Sequence, residues 1–571
     1  MINGFMNTSK KQIKSNLEYL RKLFIMPDSP DKFVEFGHEL LEMIHDFFQE
    51  KGGIHSSATL PQLSKIFDQI SIPENPLLIK DVLSEIKTNI IGHSVKVGNP
   101  YYIGHMTSAI PYFMILLEMI IAALNQNQVK IETAKASSFV ERELMAWLHQ
   151  LIFQRKDGFY NKHIQNPRVA LGNVTSDGTL ANLTALLVAR EKAFPPDGDF
   201  PGLRMAGEAK ALQHYGYQRG VILISKRGHY SVKKAANILG IGENNVITIP
   251  VDDNNRMDIK ILKRRLKTIS DSKGKERTKV IAIIGIAGTT ETGNVDNLQA
   301  IGEMARSVGA HFHVDACWGG SALLVDEYRP IFQGIEKADS VSIDSHKLLF
   351  CPMSMGLILF RSEKDLNLIR HTSQYVIRRH SVDIGRFTIE GSRPFACLKP
   401  WASLKIIGRD GYGLLFQHAR HSTAYLKNIL DHCGNFEVLN TPQLFILIYR
   451  FIPKKVKEQL SALISIAALS KNKDEIREIN RKIKRINRLI NSLNIMLHRD
   501  LRRDDTTFVS RTTLESTPYG PQNIVVLRAV LINPLTDQTV LDEIVDTQNR
   551  LGMDIWKGYE PSYQKICNGI K

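Results

Sequence analysis

The chain has few of the features that staple or anchor a small extracellular protein. Its 571 residues include five cysteines, Cys317, Cys351, Cys397, Cys433 and Cys567. The number is odd, the spacing is wide and no C-x-x-C pair occurs. That argues against a disulfide framework or a cysteine-based zinc site and for a reducing cytosol. The segment Met1 to Lys11 is polar and lacks the apolar core of a signal peptide. The most apolar stretch, Ile110 to Leu124, carries Glu118 and falls short of the ~20 apolar residues a membrane span needs. It reads as a buried helix. Repeats and low-complexity tracts are missing too, so the expectation is a cytoplasmic globular chain without a membrane partner and without a metal site.

What is present is a large core and an excess of positive charge. Hydrophobic residues make up 43% and charged residues 23%, ordinary values for a packed chain of two or three domains. Lys and Arg number 74 against 58 Asp and Glu, a net of +16. Between Lys454 and Arg503 there are 14 basic against 5 acidic residues, a net of +9. Such a run can bind nucleic acid, but no Phe, Tyr or Trp lies within it to stack on bases. A solvated helical face is the better reading, and a nucleic-acid partner is not expected. The field would also draw in anionic substrates and a phosphorylated cofactor.

Along the chain, residues 1–110 read as a helical segment suited to dimerisation, with helical spacing at Asn16 to Leu23 and Asp31 to Phe48. A long helical stretch, Pro111 to Ile152, carries polar Asn125 to Gln128 in its middle. From residue 168 short apolar runs alternate with helical spacers. The runs are Val169 to Leu171, Gly220 to Ser225, Asn245 to Pro250, Val280 to Ile286, His311 to Val314, Ser340 to Ile343 and Gly356 to Phe360. This rhythm predicts an α/β domain over residues 111–400, a mostly parallel sheet with helices on both faces. Residues 401–571 read as a smaller α+β domain with a basic helical insertion at about 454–503.

In parallel sheets ligands gather at the carboxyl ends of the strands, and the notable motifs fall there. Thr175-Ser176-Asp177-Gly178-Thr179 opens a helix and offers N–H groups to a phosphate, or simply caps the helix. Arg227-Gly228-His229-Tyr230-Ser231 puts an imidazole where it could stack on a ring or move a proton. Ala287-Gly288-Thr289-Thr290 is a small-residue turn that a ligand can approach closely. In His313-Val314-Asp315-Ala316 a carboxylate ends a buried strand and needs a cationic partner. Asp344-Ser345-His346-Lys347 places an amine at a strand mouth, where burial can lower its pKa and leave it a neutral nucleophile. Each has a bland alternative. Together they are the parts a pyridoxal phosphate site requires.

With Tyr102-Ile103-Gly104-His105-Met106-Thr107-Ser108 and Glu390-Gly391-Ser392-Arg393-Pro394, these motifs resemble the pyridoxal-phosphate-dependent group II amino-acid decarboxylases, nearest to the aspartate 1-decarboxylase and glutamate decarboxylase types. The resemblance runs strongly from about Pro100 to Gly413. It implies the aspartate aminotransferase-like fold type I, a pyridoxal 5′-phosphate cofactor, and a homodimer with active sites at the subunit interface. It matches Lys347 to the lysine that carries the cofactor aldehyde, Asp315 to the partner of the pyridine nitrogen and His229 to the ring-stacking histidine. Ser176, Gly178, Thr179, Ser345 and His346 match phosphate contacts, and Thr289 and Ala316 line the ring. His105, Thr107, Asn125, Asn127 and Arg393 are the substrate candidates, Arg393 because a guanidinium forks onto a carboxylate.

Two departures stand out. Asp177 replaces a glycine of the usual S-G-G-T phosphate loop, and Val382 precedes Asp383-Ile384-Gly385 where many relatives carry a tyrosine proton donor. Tyr375 is nearby without an alignment to that role, which leaves His229 as the acid. The expected reaction is decarboxylation of a small acidic amino acid, L-aspartate to β-alanine first and glutamate to GABA second. More remote are an aromatic-amino-acid decarboxylase, a carbon–carbon lyase, and an inactive scaffold with a basic binding module.

Overall fold

The computed structural model describes residues 17–568, apart from 19, 51, 75, 273–276, 375–376, 379–380, 516 and 521. Met1 to Lys11 and Tyr375 therefore lie outside the described residues. The chain forms two compact units, one ending at Lys96 and one running from Val97. The first is helical: α1 (Phe33–Gln49), α2 (Leu60–Ile66) and α3 (Ile79–Glu85). Thr59 opens α2 with a capping box, its side chain and that of Gln62 each bonding the other's backbone N–H. Helix α1 keeps Phe33, Val34, Leu40, Leu41 and Phe48 exposed.

The second unit is built on a seven-stranded sheet of order β1-β7-β6-β5-β4-β2-β3. The strands are β1 (Gly172–Thr175), β2 (Arg219–Ser225), β3 (Val246–Ile249), β4 (Thr278–Ile286), β5 (His311–Asp315), β6 (Ser340–Asp344) and β7 (Gly356–Phe360). Strands β3, β2, β4, β5 and β6 are mutually parallel, while β7 runs antiparallel to β6 and to β1. Pleating sends alternate side chains to opposite faces. Ile222 and Ile224 of β2 pack with Leu186 and Ala189 of α6 (Gly178–Ala193) and with Val232 and Ala235 of α7 (Ser231–Ile238). Val221 and Leu223 turn to the other layer, with Leu262 of α8 (Ile259–Ser270) and Ile301 of α9 (Leu298–Ser307). Each such side chain, fully buried, contributes about 1.5–3 kcal/mol.

Two expectations are corrected. The first strand lies at Gly172–Thr175 rather than at 169–171. The backbone is crowded where it begins: a Cβ on Gly172 would lie 2.3 Å from the Ile358 carbonyl oxygen. The long helix expected from Pro111 to Ile152 is broken. Helix α4 (Tyr112–Leu124) ends where Asn125 turns left-handed, at φ 44°, and α5 (Ala136–Phe153) starts afresh. Asn tolerates that backbone better than most residues.

After α10 (Leu398–Ile406) and α11 (Gly408–Cys433) comes a four-stranded antiparallel sheet of order β10-β11-β9-β8. Its strands are β8 (Phe436–Val438), β9 (Ile446–Phe451), β10 (Ser510–Leu514) and β11 (Ile524–Val530). The basic segment forms α12 (Lys454–Leu469) and α13 (Lys473–Asp504), and α14 (Gln538–Cys567) closes the fold. Helix α13 buries Ile483, Ile486, Ile490, Leu493, Leu497 and Leu501 at three- and four-residue spacing. Arg477, Arg481, Lys484, Arg485 and Arg488 occupy the exposed side, so the charge run is the solvated half of an amphipathic helix. Among the described residues no helix is long and apolar enough to cross a membrane.

Candidate active site

The parallel strands deliver their last residues to one edge of the sheet. Strand β6 ends at Asp344, and the turn after it carries Lys347 back over that residue, so Lys347 Nζ lies 2.9 Å from Asp344 Oδ2. Burial pulls the amine down, but Asp344, with Cys317 and Asp315 behind it, outweighs burial and raises Lys347 above the ordinary lysine value. The expected neutral amine is thus corrected: here Lys347 is an ammonium held by a carboxylate. Asp344 Oδ1 is buried without a hydrogen-bond partner among the described residues.

Strand β5 ends one strand away at Asp315, which is 6% exposed. Its Oδ2 accepts from Asn182 Nδ2 at 3.0 Å and its Oδ1 from the Cys317 N–H at 3.2 Å. Burial opposes the charge, but His313, Lys347, His229 and the Cys317 N–H together bring Asp315 below the usual carboxylate range. His229 follows β2 and is half-buried. Its Nδ1 lies 2.8 Å from Ser231 Oγ, and burial lowers its pKa against the pull of Asp315.

Beside these, α6 begins. Asp177 Oδ1 accepts from the Leu180 N–H at 2.9 Å, so the residue that departs from the phosphate-loop pattern is the helix N-cap. Gly178 has no room for a side chain: a Cβ would lie 2.6 Å from Cys317 Sγ and 2.8 Å from Asp344. Thr179 stands in the first turn, half-buried, and Ser176 is exposed and hydrogen-bonds Glu390, whose carboxyl burial pushes up. Ser345 Oγ and His346 Nδ1 both donate to the Met355 carbonyl, at 3.3 and 3.0 Å. The Thr289 hydroxyl pairs with that of Thr292 at 2.7 Å, and Ala316 is wholly buried at the end of β5.

The substrate candidates separate. His105 Nδ1 lies 2.7 Å from Thr107 Oγ1, and burial with the charges of Arg528, Lys347 and His346 lowers its pKa, which puts this pair beside the cluster. Asn125 is an exposed helix end. Asn127 is spent on the neighbouring loop, donating to Ser392 Oγ at 3.0 Å and accepting from the Arg393 N–H at 3.2 Å. Arg393 is corrected as well. It is buried, and its Nη1 donates to Glu141 at 3.1 Å and to the Val174 carbonyl at 3.0 Å. Its charge is already compensated by a buried carboxylate. Val382 is exposed at the surface.

Three residues were missed: Asn182, Asp344 and Arg528. Arg528 lies mid-strand in β11, 7% exposed. Its Nε donates to the Thr290 carbonyl at 2.8 Å, and its Nη1 to the Gly104 carbonyl and Ser510 Oγ, each at 3.1 Å. Its Nη2 is buried with no partner among the described residues. The Glu291 carboxylate acts on it through space, but its hydrogen bonds go only to neutral acceptors, and the bare corner is open to an anion. The signal was a cation inside the apolar run Ile524 to Leu531. The loop carrying His105 is stitched to the same sheet: the Ile103 N–H donates to the Phe508 carbonyl and the Phe508 N–H to that of Tyr101, both at 3.0 Å, and the Val530 N–H donates to that of Ile103 at 2.6 Å. Among the described residues no three His, Cys, Asp or Glu side chains gather as a metal-ligand set.

Comparison with known proteins agrees with this layout. The family model of the pyridoxal-dependent decarboxylase conserved domain matches residues 61–452. An aspartate 1-decarboxylase of Aliivibrio fischeri is 38% identical over 552 residues, 96% of each chain. An L-2,4-diaminobutyrate decarboxylase of Acinetobacter baumannii is 26% identical over 370 residues, 64% of this chain and 69% of that protein. The solved structure of Oryza sativa TDC with PLP and tryptamine shares the fold, with a TM-score of 0.75 at 18% identity, covering 93% of this chain and 100% of that one. The α/β architecture is fold type I of the pyridoxal phosphate enzymes. The chain belongs to the pyridoxal-dependent decarboxylase family: it is an amino-acid carboxy-lyase whose cofactor is pyridoxal 5′-phosphate.

Proposed function

We propose that this chain converts L-aspartate to β-alanine and CO₂. The observation that carries the substrate is the 38% identity, over 96% of both chains, to the Aliivibrio fischeri protein named aspartate 1-decarboxylase. Arg528 supports an acidic substrate, because its bare Nη2 can take a carboxylate beside His105 and Thr107. Glutamate is the second reading. It differs by one methylene, worth only ~1–3 kcal/mol of discrimination.

The residues fit the cofactor. Lys347, once its proton passes to Asp344, would offer an amine for its aldehyde. Asp315 is held ionised, and Oδ2, with one hydrogen bond from Asn182, keeps a lone pair for a pyridine N–H. Gly178 and Thr179 open α6 with N–H groups toward a phosphate, which Ser176, Ser345 and His346 would flank. Thr289 and Ala316 would line the ring and His229 would cover it. When bound, pyridoxal phosphate supplies the electron sink for the bond that breaks as CO₂ leaves. The chain's residues do the rest. Arg528 orients the substrate, Asp315 keeps the ring nitrogen protonated, and His229, once it has taken up a solvent proton, delivers the Nε2 proton to the carbon that lost CO₂ and returns to the neutral form. The balance is one aspartate and one proton in, one β-alanine and one CO₂ out.

A homodimer in the cytoplasm completes the reading. The exposed apolar side chains of α1 favour burial against a second copy, and the five free thiols suit a reducing compartment. The test is CO₂ release from aspartate, glutamate, 2,4-diaminobutyrate and tyrosine. Aspartate should give the highest kcat/KM, and a higher value for any other substrate overturns the assignment.

A further inference from the structure

A chain of buried hydrogen bonds lies behind the site, with Asn182 at its centre. Asn182 is 1% exposed, on the face of α6 that meets β5 and β6. Its Nδ2 donates to Asp315 Oδ2 at 3.0 Å and to Ser231 Oγ at 3.1 Å. Its Oδ1 accepts from Ser342 Oγ at 2.8 Å and from His313 Nε2 at 3.0 Å. Both amide protons and both carbonyl lone pairs are used.

That saturation leaves one orientation. A flipped amide would set its oxygen against the Asp315 carboxylate, two acceptors face to face. With Nδ2 toward Asp315, Oδ1 can only accept, so His313 carries its proton on Nε2. Burial holds His313 far down, to about 4, so it has no second proton. Its Nδ1 then accepts from Ser340 Oγ at 2.9 Å, with the Ser340 carbonyl oxygen 3.2 Å from the same nitrogen, and Ser340 Oγ accepts from His311 Nε2 at 2.7 Å. In the other direction Ser231 Oγ receives an amide proton, so its own hydrogen points to His229 Nδ1, 2.8 Å away. The Ser231 N–H aims at the same nitrogen at 3.3 Å. Two donors on Nδ1 leave the His229 proton on Nε2.

We propose that Asn182 is a positioning residue that fixes the proton of His229 on Nε2 while holding the Asp315 carboxylate, with Ser231 as the link between them. One buried amide thereby sets the state of the group that meets the ring nitrogen and of the group that returns the proton. This rests on the roles proposed above for Asp315 and His229. The charged groups that act on His229 are Asp315, Lys347, Asp344 and Glu291, and the Tyr230 ring lies 4.1 Å from its own. All of them remain when Ser231 or Asn182 is replaced.

Neutron diffraction of the perdeuterated protein, with and without cofactor, reads the tautomer directly. Deuterium on His229 Nε2 with a bare Nδ1 is the expected result. Deuterium on Nδ1 overturns the proposal, and this arm needs no variant. Ser231→Ala removes only the link. It should raise the His229 pKa by about 0.5–1 unit, because a donor to the neutral form is lost, as followed by ¹⁵N NMR of histidine-labelled protein and assigned with His229→Gln. It should lower kcat about tenfold with KM little changed, and Ser231→Thr should restore both. Asn182→Leu, of similar volume, should move His229 in the same way and also raise the pH at which Asp315 titrates. An unmoved His229 titration in both variants overturns the proposal. If the tautomer stands but no amino acid is decarboxylated, the functional reading fails and the positioning inference survives.

Discussion

The two sheets of the larger unit bring chemistry to the site by different routes. In the seven-stranded sheet the five mutually parallel strands end on one side, so Asp315, Asp344 and the turns carrying His229, Thr289 and Lys347 converge without any strand being interrupted. In the antiparallel sheet alternate strands end on opposite sides, and its one contribution, Arg528, comes from the interior of β11. That sheet holds a second buried arginine, Arg450 of β9, which serves as a control. Arg450 Nε meets Glu437 at 2.6 Å, its Nη1 meets Asn487 at 2.8 Å, and its guanidinium carbon lies 4.6 Å from the Tyr519 ring centre. A buried cation with a carboxylate against it is part of the packing. Among the described residues Nη2 is bare in both arginines, so the difference lies in the partners: Arg528 hydrogen-bonds only carbonyls and a hydroxyl, with Glu291 acting through space, and keeps donor capacity for an anion.

The comparison can be broken at several points. The largest effect is expected at the parallel edge. Lys347→Ala should abolish the cofactor's absorbance band and lower kcat/KM more than about 10³-fold, and a variant that keeps both sinks the site as described. Next, Arg528→Met should raise the KM for aspartate by about 10²-fold or more with the fold intact. Arg450→Met should do the reverse, costing about 3–5 kcal/mol in chemical denaturation with kcat/KM of the folded fraction nearly unchanged. If the two arginines exchange these phenotypes, the distinction drawn here is wrong.

A third test concerns pH. Burial lowers His149 to about 4, His311 to about 3 and His313 to about 4, so these imidazoles stay neutral in the fold and take protons once unfolded. Their stabilisation is complete above about pH 6.5 and is lost as pH falls through the folded values. Between pH 6 and pH 5 the three together should cost up to about 3–4 kcal/mol, an order-of-magnitude figure at 1.36 kcal/mol per proton and pH unit. Denaturation midpoints at pH 7, 6 and 5 check it, and a flat profile contradicts the burial of the network. The smallest effect belongs to Asp177→Ser. The cap survives, stability moves by a few tenths of a kcal/mol, and the cofactor binds a few-fold more tightly because a carboxylate leaves the phosphate's side. Fluorescence titration with pyridoxal phosphate reads the change.

The same contrast decides what could be read from the sequence. Residues at strand ends are conspicuous, because a polar or charged group follows an apolar run, and Lys347, Asp315, His229 and Thr289 were all found that way. Residues inside elements are camouflaged. Asn182 sits mid-helix among Leu180, Ala181 and Leu183 and looks like an ordinary polar interruption. Arg528 was passed over although the desolvation argument applied to Asp315 holds for it equally. Arg393 is ambiguous for the opposite reason: its motif is clear and suits either a substrate carboxylate or a structural ion pair, but its partner Glu141 lies 252 residues away and only the folded chain brings the two together. The lysine's charge state follows from Asp344, three residues earlier in the same motif, a counter-ion that desolvation alone leaves out.

The stitching of the His105 loop to the antiparallel sheet has a consequence for the order in which the protein can be made. The pairing joins residues 101–103 to 508 and 530, across more than 400 residues of chain. On a ribosome the whole parallel sheet can emerge and collapse before β11 exists. A nascent chain released just after β7 would carry every residue of the cofactor constellation and lack Arg528. If Arg528 holds the substrate as proposed, competence arrives with the last tenth of translation.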